Sequence, residues 1–156
     1  MLQLDTIDLL LIDELQKNSK QSIKELAEKI NLSITPTHER IKKIEGSGLI
    51  KKYVAIVNPE LLGKQLIVYC QVTLVKHQDI YIKKFEQFVQ SLDEVLEVSF
   101  LAGNYDYFLK IILKDINEYQ NFIMHKLSKL SYITNVQSSF VIKQVKNETS
   151  ISTKSL

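Results

Sequence analysis

Along the first third of the chain apolar residues recur at spacings of three and four. In "DTIDLLLIDELQKN", Ile7, Leu10, Leu11 and Leu15 fall on one helical face, with Asp5 as the N-cap. A second helix opens at Ser22, which forms a capping box with Glu25; Ile23, Leu26, Ala27 and Ile30 make its apolar stripe. Asn31 suits a left-handed helix end with Leu32 turning inward, so only a tight turn separates this helix from a third. There Ile34, Thr37, Ile41 and Ile44 share the inner face. Thr35, Glu39, Lys42 and Lys43 point away, Pro36 and Arg40 flank them, and His38 lies near the core edge. With Ser33 as cap, Pro36 sits in the first turn; with Thr35 as cap, it takes the first helical position. Either place tolerates a residue without an N–H. Gly46 and Gly48 end the helix, and "LIKKYVAIVNP" continues as a strand or wing.

After Gly63 the period changes. "LIVYCQVTLV" (66–75) is β-branched and aromatic, as a half-buried strand should be. "DIYIKKFEQFVQSL" returns to helical spacing through Ile82, Phe85, Phe88, Val89 and Leu92. "VLEVSFLAG" and "YDYFLKIILK" predict two strands joined around Gly103 and Asn104. "DINEYQNFIMHKLSKL" predicts a helix with Ile116, Tyr119, Phe122, Ile123 and Leu127 inward, and "ITNVQSSFVIKQVK" a last strand. The order βαββαβ is that of a ferredoxin-like sandwich. The predicted class is α+β: a winged helix-turn-helix with its linker strand over 1–63, the sandwich over 64–146, and a loose polar tail over 147–156. Val68, Val72, Phe108 and Ile112 lie on either alternation, so both sheet faces read as apolar. A face left open by the helices would then pair with a second copy.

Charge sharpens this picture locally rather than globally. The 156 residues carry a net charge of +2, which says little about partners. Within 39–52, however, Arg40, Lys42, Lys43, Lys51 and Lys52 stand against only Glu39 and Glu45. Cations on the outer face of the third of three short helices suit phosphate neutralisation, and a solvated basic face on a small bundle is the bland alternative. Hydrophobic residues at 45% and charged residues at 24% are ordinary globular values.

Other chemistry finds little support. The single Cys70 excludes an intrachain disulfide and fits a reducing compartment; in its apolar run it reads as a buried thiol. "MLQLDTIDLL" lacks the basic start of a signal peptide, and no stretch is apolar enough for a membrane span, so a soluble cytoplasmic protein without membrane attachment is expected. His38, His77 and His125 fall on separate elements without metal-ligand spacing. His38 reads as a DNA contact or a packing residue, and the other two as surface residues. No phosphate loop or catalytic triad is present, so no catalytic residue, metal or cofactor is expected.

Two stretches, "LSITPTHERIKKIEGSGLIKKYVAIVNPELLG" and "LAGNYDYFLKI", resemble the recognition helix with its exit strand, and the G-D-[YF]-D loop, of the Lrp/AsnC (leucine-responsive, feast/famine) regulators. The resemblance runs from Leu4 to Lys146. It implies a transcriptional regulator that binds double-stranded DNA through Ser33, Thr35, Pro36, His38, Glu39, Arg40, Lys42 and Lys43. It further implies pairing through the C-terminal sheets of the sandwich, called the RAM domain, assembly into octamers, and a small effector, usually an amino acid, bound between dimers. The implied effector residues are Gly103, Asn104, Tyr105 and Asp106, with Val136 and Ser138 from a facing subunit. Backbone N–H groups near Gly103 would meet a ligand carboxylate, and Asp106 its ammonium. Asn104 stands where the family usually has aspartate, and Val136 where a hydroxyl residue is frequent. Two alternatives share the fold. A non-specific architectural protein would wrap DNA. A siroheme-decarboxylase-like enzyme would want basic and histidine side chains where Asn104 and Asp106 stand.

Overall fold

In the computed structural model, which describes residues 3–75 and 78–153, the chain divides into two units. One comprises the residues up to Ile56 together with those from Lys146 onward; the other is Val57–Val145. The division falls several residues before the expected boundary at Gly63, and the first unit also takes up the C-terminal segment.

The first unit holds α1 (Thr6–Lys17), α2 (Ile23–Lys29) and α3 (Ile34–Gly46). Asp5 caps α1 by accepting from Asp8 N at 2.8 Å, and the Asp8 carboxylate accepts from Asp5 N at 3.2 Å. Ser22 and Glu25 cap α2 in the same reciprocal way. Each box satisfies two main-chain donors that a helix start leaves without partners. Asn31, at φ 55°, makes the left-handed turn into α3, and Gly48, at φ 78°, makes the turn out of it. Leu11, Leu15, Leu26, Ile30, Ile41 and Ile44 form the core, with Leu32 and Ile50 packed on its edge.

Four expectations for this unit change. Leu10, placed by period on the inner face of α1, is 47% exposed and lies outside the core. Ile34 belongs by period to the inner stripe, yet it is 54% exposed, because the core beneath α3 begins only at Thr37. Residues 51–58 form no ladder among the described residues, so the strand or wing drawn from "LIKKYVAIVNP" is not seen; a strand needs a neighbour. The tail is not loose at Ile151: its N–H donates to Gln16 Oε1 at 2.7 Å, and Gln16 Nε2 donates back to its carbonyl at 2.9 Å. Thr153 Oγ1 adds a bond to Asp13 Oδ2 at 2.8 Å. A side-chain amide that both donates and accepts imitates a neighbouring strand, and so holds a polar segment that composition alone reads as free.

The second unit is a four-stranded antiparallel sheet, β1 (Leu66–Leu74), β2 (Val95–Phe100), β3 (Tyr107–Leu113) and β4 (Ile133–Phe140), in the order β2-β3-β1-β4. Helices α4 (Asp79–Gln90) and α5 (Ile116–His125) connect its strands. Alternation puts Val68, Cys70, Val72 and Leu74 of β1, and Tyr107, Leu109, Ile111 and Leu113 of β3, into a core with Phe85, Val89, Phe122 and Leu127. Val68 and Val72 therefore face the helices. The opposite alternation carries Ile67, Tyr69, Phe108 and Ile112, and also Gln71, Thr73 and Lys110, so that face is mixed rather than apolar. Tyr69 and Phe108 stack there at 5.2 Å. Ile116, expected inward, is exposed at the first position of α5. The last strand stops at Phe140 instead of running to Lys146: Val141 N still donates to Ile67 O at 3.0 Å, but β1 begins at Leu66 and leaves the residues after Ile142 nothing on that strand to pair with; Ile142 and Val145 stand exposed.

Candidate nucleic-acid interface and effector loop

The first turn of α3 is built by its cap carbonyl. Ser33 O accepts from Thr37 N at 3.3 Å and from Thr37 Oγ1 at 2.9 Å, while the Ser33 side chain makes no capping bond. Thr37 is fully buried, which pins this turn to the core. Pro36 falls in the first turn, as the reading with Ser33 as cap requires. Ser33, Thr35, Glu39 and Lys42 are exposed, and Pro36 and His38 are half-buried. Lys42, Lys51 and Lys52 form no ion pair among the described residues, so their charge stays available to a polyanion.

Arg40 is placed differently from the expectation. Its Nη1 lies 2.6 Å from both Asp5 Oδ2 and Asp8 Oδ1, and Asp8 is only 1% exposed. The two carboxylates raise the pKa of the guanidinium, Asp8 more than Asp5. The Asp5 carboxyl is held below its usual range, first by the Asp8 main-chain N–H and then by Arg40. Arg40 thus braces α3 against the start of α1. Lys43 Nζ lies 3.8 Å from Asp8 Oδ2 and remains more than half exposed. The signal for this brace was present in sequence: Asp5 and Asp8, three apart at a helix start, are both acids and caps.

In the sandwich unit, Gly103 and Asn104 sit exposed in the β2–β3 connection. Gly103 is not left-handed, and a Cβ added there would meet nothing within 4 Å. Tyr105 reaches across β1 to donate its hydroxyl to Gln137 Oε1 at 2.9 Å. Asp106 is 8% exposed; its Oδ2 accepts from Leu74 N at 2.7 Å, and its own N–H and carbonyl bond to Val72 O and Leu101 N. The residue expected to accept from a ligand ammonium is therefore tied to the end of β1. Val136 and Ser138 pair with Val72 and Cys70 and share their helix-facing side; Ser138 Oγ lies 3.1 Å from Cys70 Sγ. Burial raises the thiol pKa, and Ser138 offsets part of that rise. The residue that meets the loop is Gln137, between the two that were named; strand alternation assigns it to the opposite face. Below the loop Tyr107 donates to Glu86 Oε1 at 3.0 Å, and its pKa is raised first by burial and then by that carboxylate.

The winged helix-turn-helix DNA-binding pattern matches residues 4–51, and the Lrp/AsnC ligand binding domain matches 67–151, more than half of the chain. The chain belongs to the Lrp/AsnC family. The leucine-responsive regulatory protein of Haemophilus influenzae is 36% identical over 143 residues, 92% of this chain and 86% of that protein. That of Escherichia coli is 33% identical over the same share of this chain and 87% of its own length. Among solved structures, a transcriptional regulator from Neisseria meningitidis in complex with L-Met superposes with a TM-score of 0.92, at 30% identity and 96% coverage of each chain. An AsnC family transcriptional regulator from Agrobacterium tumefaciens gives 0.90 at 30% identity, covering 95% of this chain and 96% of its own. This Lrp/AsnC chain is a transcriptional regulator with a helix-turn-helix and a ligand-binding domain. Among the described residues no cluster of His, Cys, Asp and Glu is arranged to hold a metal, and no helix is long and apolar enough to cross a membrane. His77 lies outside the described residues, and His125 is exposed at the end of α5.

Proposed function

We propose that this Lrp/AsnC regulator acts in the cytoplasm, grips duplex DNA with the outer face of α3, and changes that grip when a small effector, an amino acid, binds at the 101–106 loop. The observation that carries the DNA reading is the exposed, unpaired Lys42 on a helix whose other face is locked into the helix-turn-helix core. Lys43, Lys51 and Lys52 add phosphate contacts, and Ser33, Thr35, His38 and Glu39 meet base edges, with Pro36 holding the first turn. Arg40 acts by positioning α3. A homodimer would set two such helices about 34 Å apart, matching successive major grooves. An octamer is the higher assembly that the family resemblance implies.

For the effector, the exposed main chain around Gly103 and Asn104 offers N–H groups to a carboxylate, while Asp106 holds the loop in shape rather than touching the ligand. Val136 and Ser138 of a facing subunit remain the proposed second wall. The L-Met bound to the Neisseria regulator supports an amino acid as the ligand class.

Binding to labelled duplex pools over a salt series tests the first half: affinity should fall steeply with salt, and a selected site should be preferred by roughly a thousandfold. Affinity without sequence preference would favour the architectural reading. Thermal shift with each common amino acid, read beside sedimentation, tests the second half. An effector can act only through different affinities for different assembly states, so both readouts should move together.

A further inference from the structure

The first residue of the recognition helix is large, apolar and half in solvent. Ile34 is 54% exposed and takes no part in the core of its unit. Its neighbours Ser33 and Thr35 are exposed too, and the Ser33 hydroxyl is not spent on capping. The N-terminal residues of a recognition helix are those that reach base edges in the major groove. An apolar side chain there can read one feature that no hydrogen-bonding group reads, the 5-methyl of thymine.

Ile34 is also held still. Buried Thr37 fixes the Ser33 carbonyl through two bonds, Pro36 fixes φ within the same first turn, and a β-branched side chain has few χ1 states. An exposed apolar group held in one direction loses little freedom on docking. We propose that Ile34 is a specificity residue that packs on a thymine methyl in each half-site. This rests on the DNA-binding reading of α3 and adds to it a base and a contact chemistry.

The test uses the full-length chain. Random-sequence duplexes are enriched in parallel on the wild type, Ile34→Ala and Ile34→Val. Thymines in the enriched site are then replaced singly by deoxyuridine, which lacks only the methyl. One position in each half-site should lose about fourfold in wild-type affinity on losing the methyl, the worth of one buried carbon, and nothing with Ile34→Ala. Ile34→Val should keep most of the preference. Because the side chain lies outside the core, both variants should melt with the wild type. Ile34→Ala enriching the same motif with the same deoxyuridine penalties would overturn the assignment. A wild type that enriches no motif would remove the reading of α3 on which the assignment depends.

Discussion

Replacing Arg40 by alanine separates a brace from a phosphate contact. The substitution removes both 2.6 Å contacts and leaves the Asp8 carboxylate, 1% exposed, with the Asp5 N–H at 3.2 Å and Lys43 at 3.8 Å. Breaking a fully buried ion pair costs about 3–5 kcal/mol. Here the guanidinium is 28% exposed and Lys43 can move closer, so about 1–2 kcal/mol is the appropriate figure. For a unit of this size that lowers the midpoint of its thermal transition by about 5–15 °C. A phosphate contact behaves otherwise: its loss reduces the slope of log affinity against log salt by about 0.9 and leaves the midpoint alone. Arg40→Ala should therefore melt early with its salt slope unchanged. Lys42→Ala should melt normally with its slope reduced by about 0.9. Melting curves and salt titrations on the two variants give four numbers. If Arg40→Ala melts with the wild type and loses slope, the brace is wrong and Arg40 belongs to the DNA.

Asp106→Ala should destabilise the sandwich unit by about 1–3 kcal/mol in denaturant titration, because the Leu74 N–H would stay buried without its acceptor. A neutral outcome would return Asp106 to the ligand. Gly48→Ala should cost about 1 kcal/mol, since φ is 78° there, whereas Gly103→Ala should leave stability within about 0.5 kcal/mol. Loss of effector binding in Gly103→Ala without loss of stability would point to a neighbour of the loop outside this chain. Asp5 and Glu25 titrate below their ordinary values of 3.8 and 4.5, held there first by the main-chain N–H groups they cap. Depressed carboxyl pKa values give stability that is whole above those ordinary values and drains as pH falls past them. The thermal midpoint should be level down to that range and then drop, and Asp5→Asn, which keeps a capping oxygen without the charge, should flatten part of the drop.

Which helices form was readable because their signals are local. The Asp5 cap, the Ser22–Glu25 capping box, the left-handed Asn31 and the Gly48 exit all follow from residue types within four positions of the turn they make, whereas the reciprocal bond from Asp8 that closes a second box at Asp5 was not read from the sequence. The four strands followed from period and β-branched content, although the last was drawn too long: its end depends on where β1 begins, and β1 lies about seventy residues earlier. Periodicity also placed Ile34 and Ile116 inward. It gives direction around a helix axis but says nothing of how far along that axis the core extends.

The site divides along the same line. Sequence by itself determined which residues carry charge on α3 and which stretch forms the β2–β3 loop, because residue type and local spacing suffice for both. Only the tertiary structure decided which charges are free. Arg40 meets acids thirty-two and thirty-five residues away, Asp106 meets a backbone N–H thirty-two away, and Gln16 meets the C-terminal segment 135 away. Short-range patterns fix which way a side chain points. Whether it finds a partner depends on where the rest of the chain folds to, and that set Arg40 to bracing and left Lys42 without an ion pair among the described residues.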